Sequence, residues 1–343
     1  MDIKESVKAY YGSVLQSSDD LATDACCTLE ETPPAIAAAI ANVHPEVAQR
    51  YYGCGLVVPQ GLAGARVLDL GSGAGRDAYV LAQLVGEAGS VIGVDMTPAQ
   101  LAVARAHVDW HANRFGYANS NVTFLEGDIE RLLDLNLAPE SVDVIVSNCV
   151  INLCADKRAV FDAAHALLKP GGEMYFADVY ADTCVPSEAK NDPRAHGECL
   201  AGALYWKDFI DMAIASGFDD PRLVAHRPLT VRDDGLRALL GNAAFQSATY
   251  RLVKTSGATA EPAGAYLATY DGSLPDADGT FILDEDNAFP TGGKVTVSSE
   301  TAQLLRESRF SNCFAVEKSD VEETLQTPNR SPFKPTKSAP CCG

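Results

Sequence analysis

The residues with the most distinctive chemistry in this sequence are its ten cysteines. None of them forms a Cys-x-x-Cys pair, so a zinc ribbon or a thioredoxin-type redox motif has no local support. Thiolates are soft ligands that suit soft metals, while buried cysteines also serve as small apolar residues. The ten are Cys26, Cys27, Cys54, Cys149, Cys154, Cys184, Cys199, Cys313, Cys341 and Cys342.

A glycine-rich turn predicts a nucleoside cofactor. Gly71-Ser72-Gly73-Ala74-Gly75-Arg76 follows the apolar run Val67–Leu70, and helical periodicity begins at Asp77. Glycine permits close approach of the backbone to a ligand. A dinucleotide fingerprint needs its third glycine at position 76, where this chain has Arg76. The G-x-G-x-G spacing instead favours S-adenosylmethionine (SAM), which has no pyrophosphate.

Polar residues after the next strands agree with SAM. Asp95 ends the second predicted strand, where its carboxylate can accept hydrogen bonds from both ribose hydroxyls. Gly127-Asp128-Ile129 follows the third strand, where an adenine is commonly clamped, and Asn148 after the fourth strand can support the methionine end. The minor alternative is a glycine-rich turn in a sheet that binds no ligand.

Charge and one missing motif argue against nucleic acid as the substrate. The chain has 27 basic and 46 acidic residues, a net charge of -19, which repels phosphate backbones and anionic lipid. Ser147-Asn148-Cys149-Val150-Ile151-Asn152 stands where methyltransferases of nucleobase amines usually carry Asn/Asp-Pro-Pro-aromatic. We find no apolar run long enough for a membrane span and no secretory signal. We therefore expect a cytoplasmic protein that uses neither membrane nor nucleic acid.

Strands alternate with helices through the first two thirds of the chain, which predicts an α/β fold with a doubly wound, mainly parallel sheet. Thr97 and Pro98 open a helix that runs towards Gly116. The predicted strands are Val67–Leu70, Val91–Val94, Val122–Leu125, Val142–Ser147 and Glu173–Val179.

The length of 343 residues predicts two or three domains. Small and polar residues from Thr255 to Pro262 indicate a linker, and a Pro-, Ser- and Thr-rich end indicates a disordered tail. We expect an N-terminal segment (1–33), a SAM-binding domain (34–205), a substrate-binding domain (206–260), a C-terminal domain (261–320) and a tail (321–343).

Cys149 lies at the carboxyl end of the fourth predicted strand, the edge where open α/β sheets bind ligands. A lone cysteine there is more often a packing residue. Cys54 and Cys199 are too far away along the chain for a local metal knuckle. Spacing alone therefore leaves both interpretations open.

The chain resembles the arsenite SAM methyltransferases, which are class I SAM-dependent methyltransferases, from about Val7 to Phe314. The most specific parts of the resemblance are Arg50-Tyr51-Tyr52-Gly53-Cys54-Gly55, Ser147-Asn148-Cys149-Val150-Ile151-Asn152-Leu153 and Gly197-Glu198-Cys199-Leu200. It implies methylation of As(III) for arsenic detoxification. By this match the cofactor site contains Tyr52, Gly71, Ser72, Arg76, Asp95, Met96, Ile129 and Asn148, to which the motifs above add Gly73, Gly75 and Asp128.

The resemblance also implies four functional cysteines. Cys149 and Cys199 hold As(III), Cys54 adds a third thiolate and takes part in thiol exchange, and Cys26 is the N-terminal member with Cys27 as bystander. The implied cycle forms a cysteine disulfide that thioredoxin or glutathione reduces. Three thiolates suit trigonal As(III), whose lone pair then attacks the methyl group without a general base.

The other candidates have simpler interpretations. We expect Cys154 and Cys184 to be packing or surface residues and Cys313 to belong to the core of the C-terminal domain. His107 and His111 are expected on a solvated helix face. Cys341 and Cys342 either capture metalloid on a mobile tail or do nothing.

Two rival functions share part of this pattern. A small-molecule methyltransferase acting on carbon or oxygen has no need for Cys54, Cys149 and Cys199 together, and a metalloid storage protein has no need for the SAM loop. The sequence leaves open the final methylated product, the acceptance of antimony and the oligomeric state, for which a monomer is our working expectation.

Overall fold

The computed structural model describes residues 32–51, 53, 55, 57–256, 261–320 and 328–333. Within these ranges, no helix has both the length and the apolar character that a membrane crossing requires.

An eight-stranded sheet forms the centre of the fold. Its strand order is β3-β2-β1-β4-β5-β8-β7, with β6 paired to β5. The first five strands in this order, from β3 to β5, pair with one another in parallel. The strand order reverses between β1 and β4, which is where doubly wound sheets open a ligand crevice. The strands are β1 (Arg66–Leu70), β2 (Ser90–Asp95), β3 (Val122–Glu126), β4 (Val142–Asn148), β5 (Leu168–Ala181), β6 (Leu204–Tyr205), β7 (Arg222–Leu229) and β8 (Phe245–Val253).

Helices cover both faces of this sheet because side chains alternate along each strand. Val67 packs into the core on one face, while Leu68 and Leu70 pack into the core on the other. The helices are α1 (Pro34–Ala41), α2 (Pro45–Ala48), α3 (Arg76–Val85), α4 (Pro98–Ala106), α5 (Val108–Phe115), α6 (Lys157–Leu167), α7 (Ser187–Lys190), α8 (Pro193–Gly197), α9 (Trp206–Ala215) and α10 (Asp234–Leu240).

The predicted boundary at residue 205 does not separate two sheets. β8 pairs with β5 over nine residues and β7 pairs with β8, both antiparallel. Residues 206–256 therefore extend the central sheet, and the expectation of a separate substrate-binding domain is corrected. Strand pairing across about 70 residues of chain leaves no local signal in the sequence.

The C-terminal domain has its own sheets and core, as the linker predicted. β9 lies between β12 and β13 in one antiparallel sheet, and β10 pairs with β11 in another. Its elements are β9 (Ala265–Tyr270), β10 (Thr280–Ile282), β11 (Ala288–Pro290), β12 (Lys294–Ser298), α11 (Ser299–Glu307) and β13 (Phe314–Lys318).

Part of the predicted disordered tail is ordered. Arg330 accepts a hydrogen bond from the Tyr250 hydroxyl at its carbonyl oxygen (2.8 Å) and pairs with Asp220 at 3.0 Å. Phe333 packs against the central core. Residues 328–333 thus correct the expectation for this part of the tail.

The helix predicted to run from Pro98 towards Gly116 is interrupted at His107, which separates α4 from α5. His111 is only 1% exposed, its ring stacks on Tyr79 at 3.4 Å, and its Nε2 accepts a hydrogen bond from the His44 amide at 3.1 Å. The expectation of a solvated histidine face is therefore wrong for His111. His107 lies beside Glu46, with 2.9 Å between Nε2 and Oε2.

Candidate functional site

A cleft lies outside the carboxyl ends of β1, β2 and β4, at the reversal of strand order. Most of the cofactor residues predicted from the sequence meet there. The predicted residues that line the cleft are Gly71, Ser72, Gly73, Arg76, Asp95, Met96, Asp128, Ile129, Asn148 and Cys149.

The three glycines of the turn after β1 have different roles. Gly71 has φ 71°, and a Cβ there would lie 2.4 Å from the Val150 side chain. Gly73 has φ 52°, and apart from its own chain neighbours no described residue lies within 4 Å of a Cβ placed on it, so its backbone faces open space in the cleft. Gly75 does not line the cleft. It is the N-cap residue of α3, and a Cβ there would lie 2.7 Å from Phe124.

Two acidic side chains hold the backbone that surrounds the cleft. Asp95 accepts hydrogen bonds from the Thr97 amide at 2.7 Å and the Gly73 amide at 2.9 Å. Burial raises the pKa of Asp95 in spite of these bonds. Asp128 accepts from the Glu130 amide at 2.9 Å and so begins the 3₁₀ turn Ile129–Leu135. A carboxylate can accept more than two hydrogen bonds, so Asp95 can still accept from a ligand.

Asp69 is a site residue that the sequence reasoning missed. It lies in β1, is 3% exposed and lines the cleft, and its Oδ2 has no hydrogen-bond partner among the described atoms. Burial and then the charges of Asp77 and Asp95 raise its pKa well above the ordinary value. An orphaned carboxyl among carboxylates fits a ligand of net positive charge. SAM, with a sulfonium, an ammonium and one carboxylate, is such a ligand.

The other wall of the cleft is built around Asn148. Its Nδ2 lies 2.9 Å from the Tyr51 hydroxyl, 3.0 Å from the Gly55 carbonyl oxygen and 2.9 Å from Asp77 Oδ2. The Arg76 guanidinium stacks on the Tyr51 ring at 3.8 Å and pairs with Asp77 at 2.7 Å. Asn148 and Arg76 therefore fasten the chain around Tyr51 to the sheet.

Cys149 and Cys199 lie side by side although 50 residues separate them. The Cys199 thiol donates to the Cys149 carbonyl oxygen at 3.2 Å, and both residues are 4% exposed. Both also have left-handed backbones, with φ 55° and φ 60°. Such a conformation costs on the order of 1–3 kcal/mol in a non-glycine residue and is concentrated at functional sites. Both cysteines belong to a cluster of buried apolar residues.

A buried polar network supports this pair of cysteines. The Asn152 side chain donates to the carbonyl oxygens of Cys199 (3.3 Å) and Val179 (2.6 Å). The backbone amide of Asn152 donates to the Asp178 carboxylate at 3.0 Å. Burial raises the pKa of Asp178 to about 7. A Cβ on Gly202 would lie 1.8 Å from the Asn152 carbonyl oxygen, so this contact requires glycine.

The remaining cysteines differ in state. Cys149 and Cys184 are each disulfide-bonded, so the expectation that Cys184 is a packing or surface thiol is corrected. Cys154 is buried at the cleft, and burial raises the pKa of its thiol. Cys313 is half-buried against the C-terminal core, as predicted. The predictions for Tyr52, Cys26, Cys27, Cys54, Cys341 and Cys342 lie outside the described residues.

Some of the missed residues carry a sequence signal. Asp69 interrupts an apolar strand directly before the glycine turn, and Asp178 interrupts another between Ala177 and Val179. A carboxylate inside such a run indicates a buried polar site. Asn152 and Tyr51 have no comparable signal, since their partners are distant in the chain.

The fold and the cleft define a class of protein. A doubly wound sheet with a glycine turn after β1, an aspartate ending β2 and a cleft suited to a cationic nucleoside is the architecture of class I SAM-dependent methyltransferases. A methyltransferase-domain family matches residues 62–217, and the family described as arsenite methyltransferase C-terminal domain matches residues 263–340.

Similar proteins identify the family within this class. The arsenite methyltransferase of Aquipseudomonas alcaligenes is 54% identical over 313 residues, covering 90% of this chain and 89% of the relative. The arsenite methyltransferase of Homo sapiens is 45% identical, covering 92% and 84%. The crystal structure of an arsenic (III) S-adenosylmethionine methyltransferase from Chlamydomonas reinhardtii matches with a TM-score of 0.80 at 44% identity, over 87% of this chain and 100% of that chain. The chain belongs to the arsenite methyltransferase family, which confirms the resemblance and the fold class inferred from the sequence.

Proposed function

We propose that this chain transfers methyl groups from SAM to As(III) held by cysteine thiolates. The observation that carries the proposal is the contact between Cys199 and Cys149, because Cys149 also lines the cleft. Once Cys149 is reduced, two adjacent thiols, one of which lines the cofactor cleft, provide soft ligands where a methyl acceptor must lie.

The third thiolate in this proposal is Cys54. Gly53, the residue before it, lines the cleft and lies against Asn148, where a Cβ would be 2.5 Å from Nδ2. Asn148 directly precedes Cys149 in the chain. SAM would supply an electrophilic methyl group: the lone pair of the thiolate-bound arsenic would form the As–C bond as the S–CH3 bond breaks, and S-adenosylhomocysteine would leave. The protein positions the arsenic, and it needs no general base because the attacking lone pair carries no proton.

We further propose that cysteine thiols reduce the arsenic after each transfer. Methylation takes arsenic to the pentavalent state, and two thiolates return it to As(III) by giving up two electrons and forming a disulfide. The disulfide-bonded state of Cys149 supports this role. Cys26 supplies a further thiol in the proposed cycle. Thioredoxin or glutathione then reduces the disulfide, and we infer a cytoplasmic location because these reductants keep thiols reduced there.

The test is incubation of the purified protein with arsenite, SAM and glutathione, followed by chromatographic speciation of arsenic. We expect methylated arsenic from the wild type and none from Cys199→Ser or Cys149→Ser, because serine is a poor ligand for a soft metalloid. Without any thiol reductant, we expect methylation to stop after about one turnover per enzyme.

Cys313→Ser is the matched control, since this half-buried cysteine lies in the C-terminal domain. It should methylate arsenite like the wild type, and every variant should still bind SAM. Full activity of Cys199→Ser or Cys149→Ser would refute the thiolate site. Arsenite binding without methylation, in a protein that binds SAM, would refute the reaction.

A further inference from the structure

The C-terminal domain forms several hydrogen bonds with Gln60 and Gly61, which lie shortly before β1. The Gln60 side chain donates to the Thr280 carbonyl oxygen at 3.2 Å and accepts from the Ile282 amide at 2.9 Å. The Gly61 amide donates to both carboxylate oxygens of Asp276, at 2.8 and 3.0 Å. Gln60, through its side chain, is thus bound to β10, and Gly61, through its backbone amide, is bound to Asp276 in the loop before β10.

Arg309 adds a charged contact at the same place. Its guanidinium donates to the carbonyl oxygens of Gln60 and Gly61 and pairs with Glu173 of β5 at 2.6 Å. Glu173 is fully buried. One arginine of the C-terminal domain therefore joins the stretch at Gln60 to the central sheet, and charge-assisted hydrogen bonds of this kind are among the stronger ones.

The same chain leads directly to the cofactor cleft. We call the described residues 50, 51, 53, 55 and 57–62 the wall segment, because Arg50, Tyr51 and Gly53 line the cleft. Its first part is tied to the sheet through Asn148, and its second part is held by the C-terminal domain. Only four residues separate Gly55, which also contacts Asn148, from Gln60.

We propose that the C-terminal domain sets the affinity for SAM by anchoring the wall segment. A wall that is held in place before the cofactor arrives needs no ordering on binding, whereas a loosened wall reduces the apparent affinity in proportion to the time it spends away. Asp276 and Arg309 act as positioning residues, since they touch the wall segment and not the cleft. The proposal concerns the cofactor site and does not depend on the arsenic chemistry.

The experiment compares matched variants of the full chain by calorimetric titration with SAM alone. Asp276→Ala removes the contact with Gly61, whereas Asp271→Ala removes another exposed aspartate, which accepts from the Ser273 amide within the C-terminal domain. We expect the Kd for SAM to rise about threefold in Asp276→Ala and about tenfold (about 1.4 kcal/mol) in Arg309→Gln. Asp271→Ala should bind SAM like the wild type.

Hydrogen exchange of a peptide covering residues 50–62 provides the second readout. We expect faster exchange in Asp276→Ala and Arg309→Gln, and no change in Asp271→Ala. An unchanged Kd in Asp276→Ala with faster exchange would overturn the proposal, as would an equal loss of affinity in Asp271→Ala. If Arg309→Gln does not fold, the comparison of Asp276→Ala with Asp271→Ala is sufficient to test the proposal. Arsenic is absent from both measurements, so failure of the thiolate mechanism would leave their outcome unaffected.

Discussion

At the scale of single residues, Asp69 has opposite consequences for stability and for binding. Its carboxyl is buried and its pKa is raised, so the folded protein holds a proton there that the unfolded chain releases. The free energy of unfolding therefore falls as pH rises above the ordinary carboxyl pKa. We predict that Asp69→Asn raises the melting temperature of the ligand-free protein at pH 8 and weakens SAM binding about tenfold.

The control for Asp69→Asn is Asp134→Asn, which removes the same charge from an exposed position beside Arg131. It should change neither the melting temperature nor the Kd by a measurable amount, because exposed ion pairs contribute little. Thermal unfolding and calorimetric titration on both variants make the comparison. Tighter SAM binding in Asp69→Asn would contradict the assignment of this carboxyl to a cationic ligand.

The sequence specified the types of the site residues better than their contacts. The glycine turn, Asp95 and Asp128 could be assigned because a strand, a turn and a following helix position them locally. The contact between Cys149 and Cys199 could not, because it requires left-handed backbone at both cysteines and a long connection through β5. The family resemblance supplied the pair of cysteines that spacing alone left open.

At the scale of elements, parallel strands were predictable and antiparallel additions were not. β1 and β4 are mainly apolar strands, each interrupted by one aspartate (Asp69 and Asp143) and followed by a glycine or polar residues, a pattern typical of strands buried on both faces. β7 and β8 lack such a run, since polar and charged residues such as His226 and Gln246 occur along them. Their place in the sheet depends on contacts with β5, which no local pattern encodes.

His111 of α5 predicts how the fold responds to acid. Its Nδ1 lies 2.8 Å from the His107 carbonyl oxygen while its Nε2 accepts from the His44 amide, so the ring is neutral. Burial lowers its pKa to about 4. The unfolded chain therefore binds a proton between pH 6.5 and 4 that the folded protein does not, and stability falls as pH falls through this window.

We predict that wild type loses about 2 kcal/mol more than His111→Gln between pH 6.5 and 4.5. Glutamine retains a donor and an acceptor but does not titrate. Urea unfolding at the two pH values, for both proteins, measures the difference. Equal losses in the two proteins would show that His111 is not the group responsible.

At the scale of the whole molecule, buried charges join the domains. Arg222 of β7 is fully buried and pairs with Asp220 and with Asp284 (2.9 Å) of the C-terminal domain, and it donates to Thr301 at 3.0 Å. The linker after residue 254 made two units predictable from composition. The contact between the two units was not predictable, because an arginine in a strand does not indicate that its ion-pair partner lies 62 residues away in the chain.

These contacts predict that the molecule unfolds as one cooperative unit. Arg222→Met leaves the buried Asp284 carboxylate without its cation, which costs about 3–5 kcal/mol. We expect a single calorimetric transition in the wild type and a single transition at lower temperature in Arg222→Met. Adding Asp284→Asn should recover part of the loss, since it removes the charge while the Asp286 amide and Asn287 keep a polar neighbour. Two separate transitions, of which only one shifts in Arg222→Met, would mean that the domains fold independently and that this buried pair stabilises only one of them.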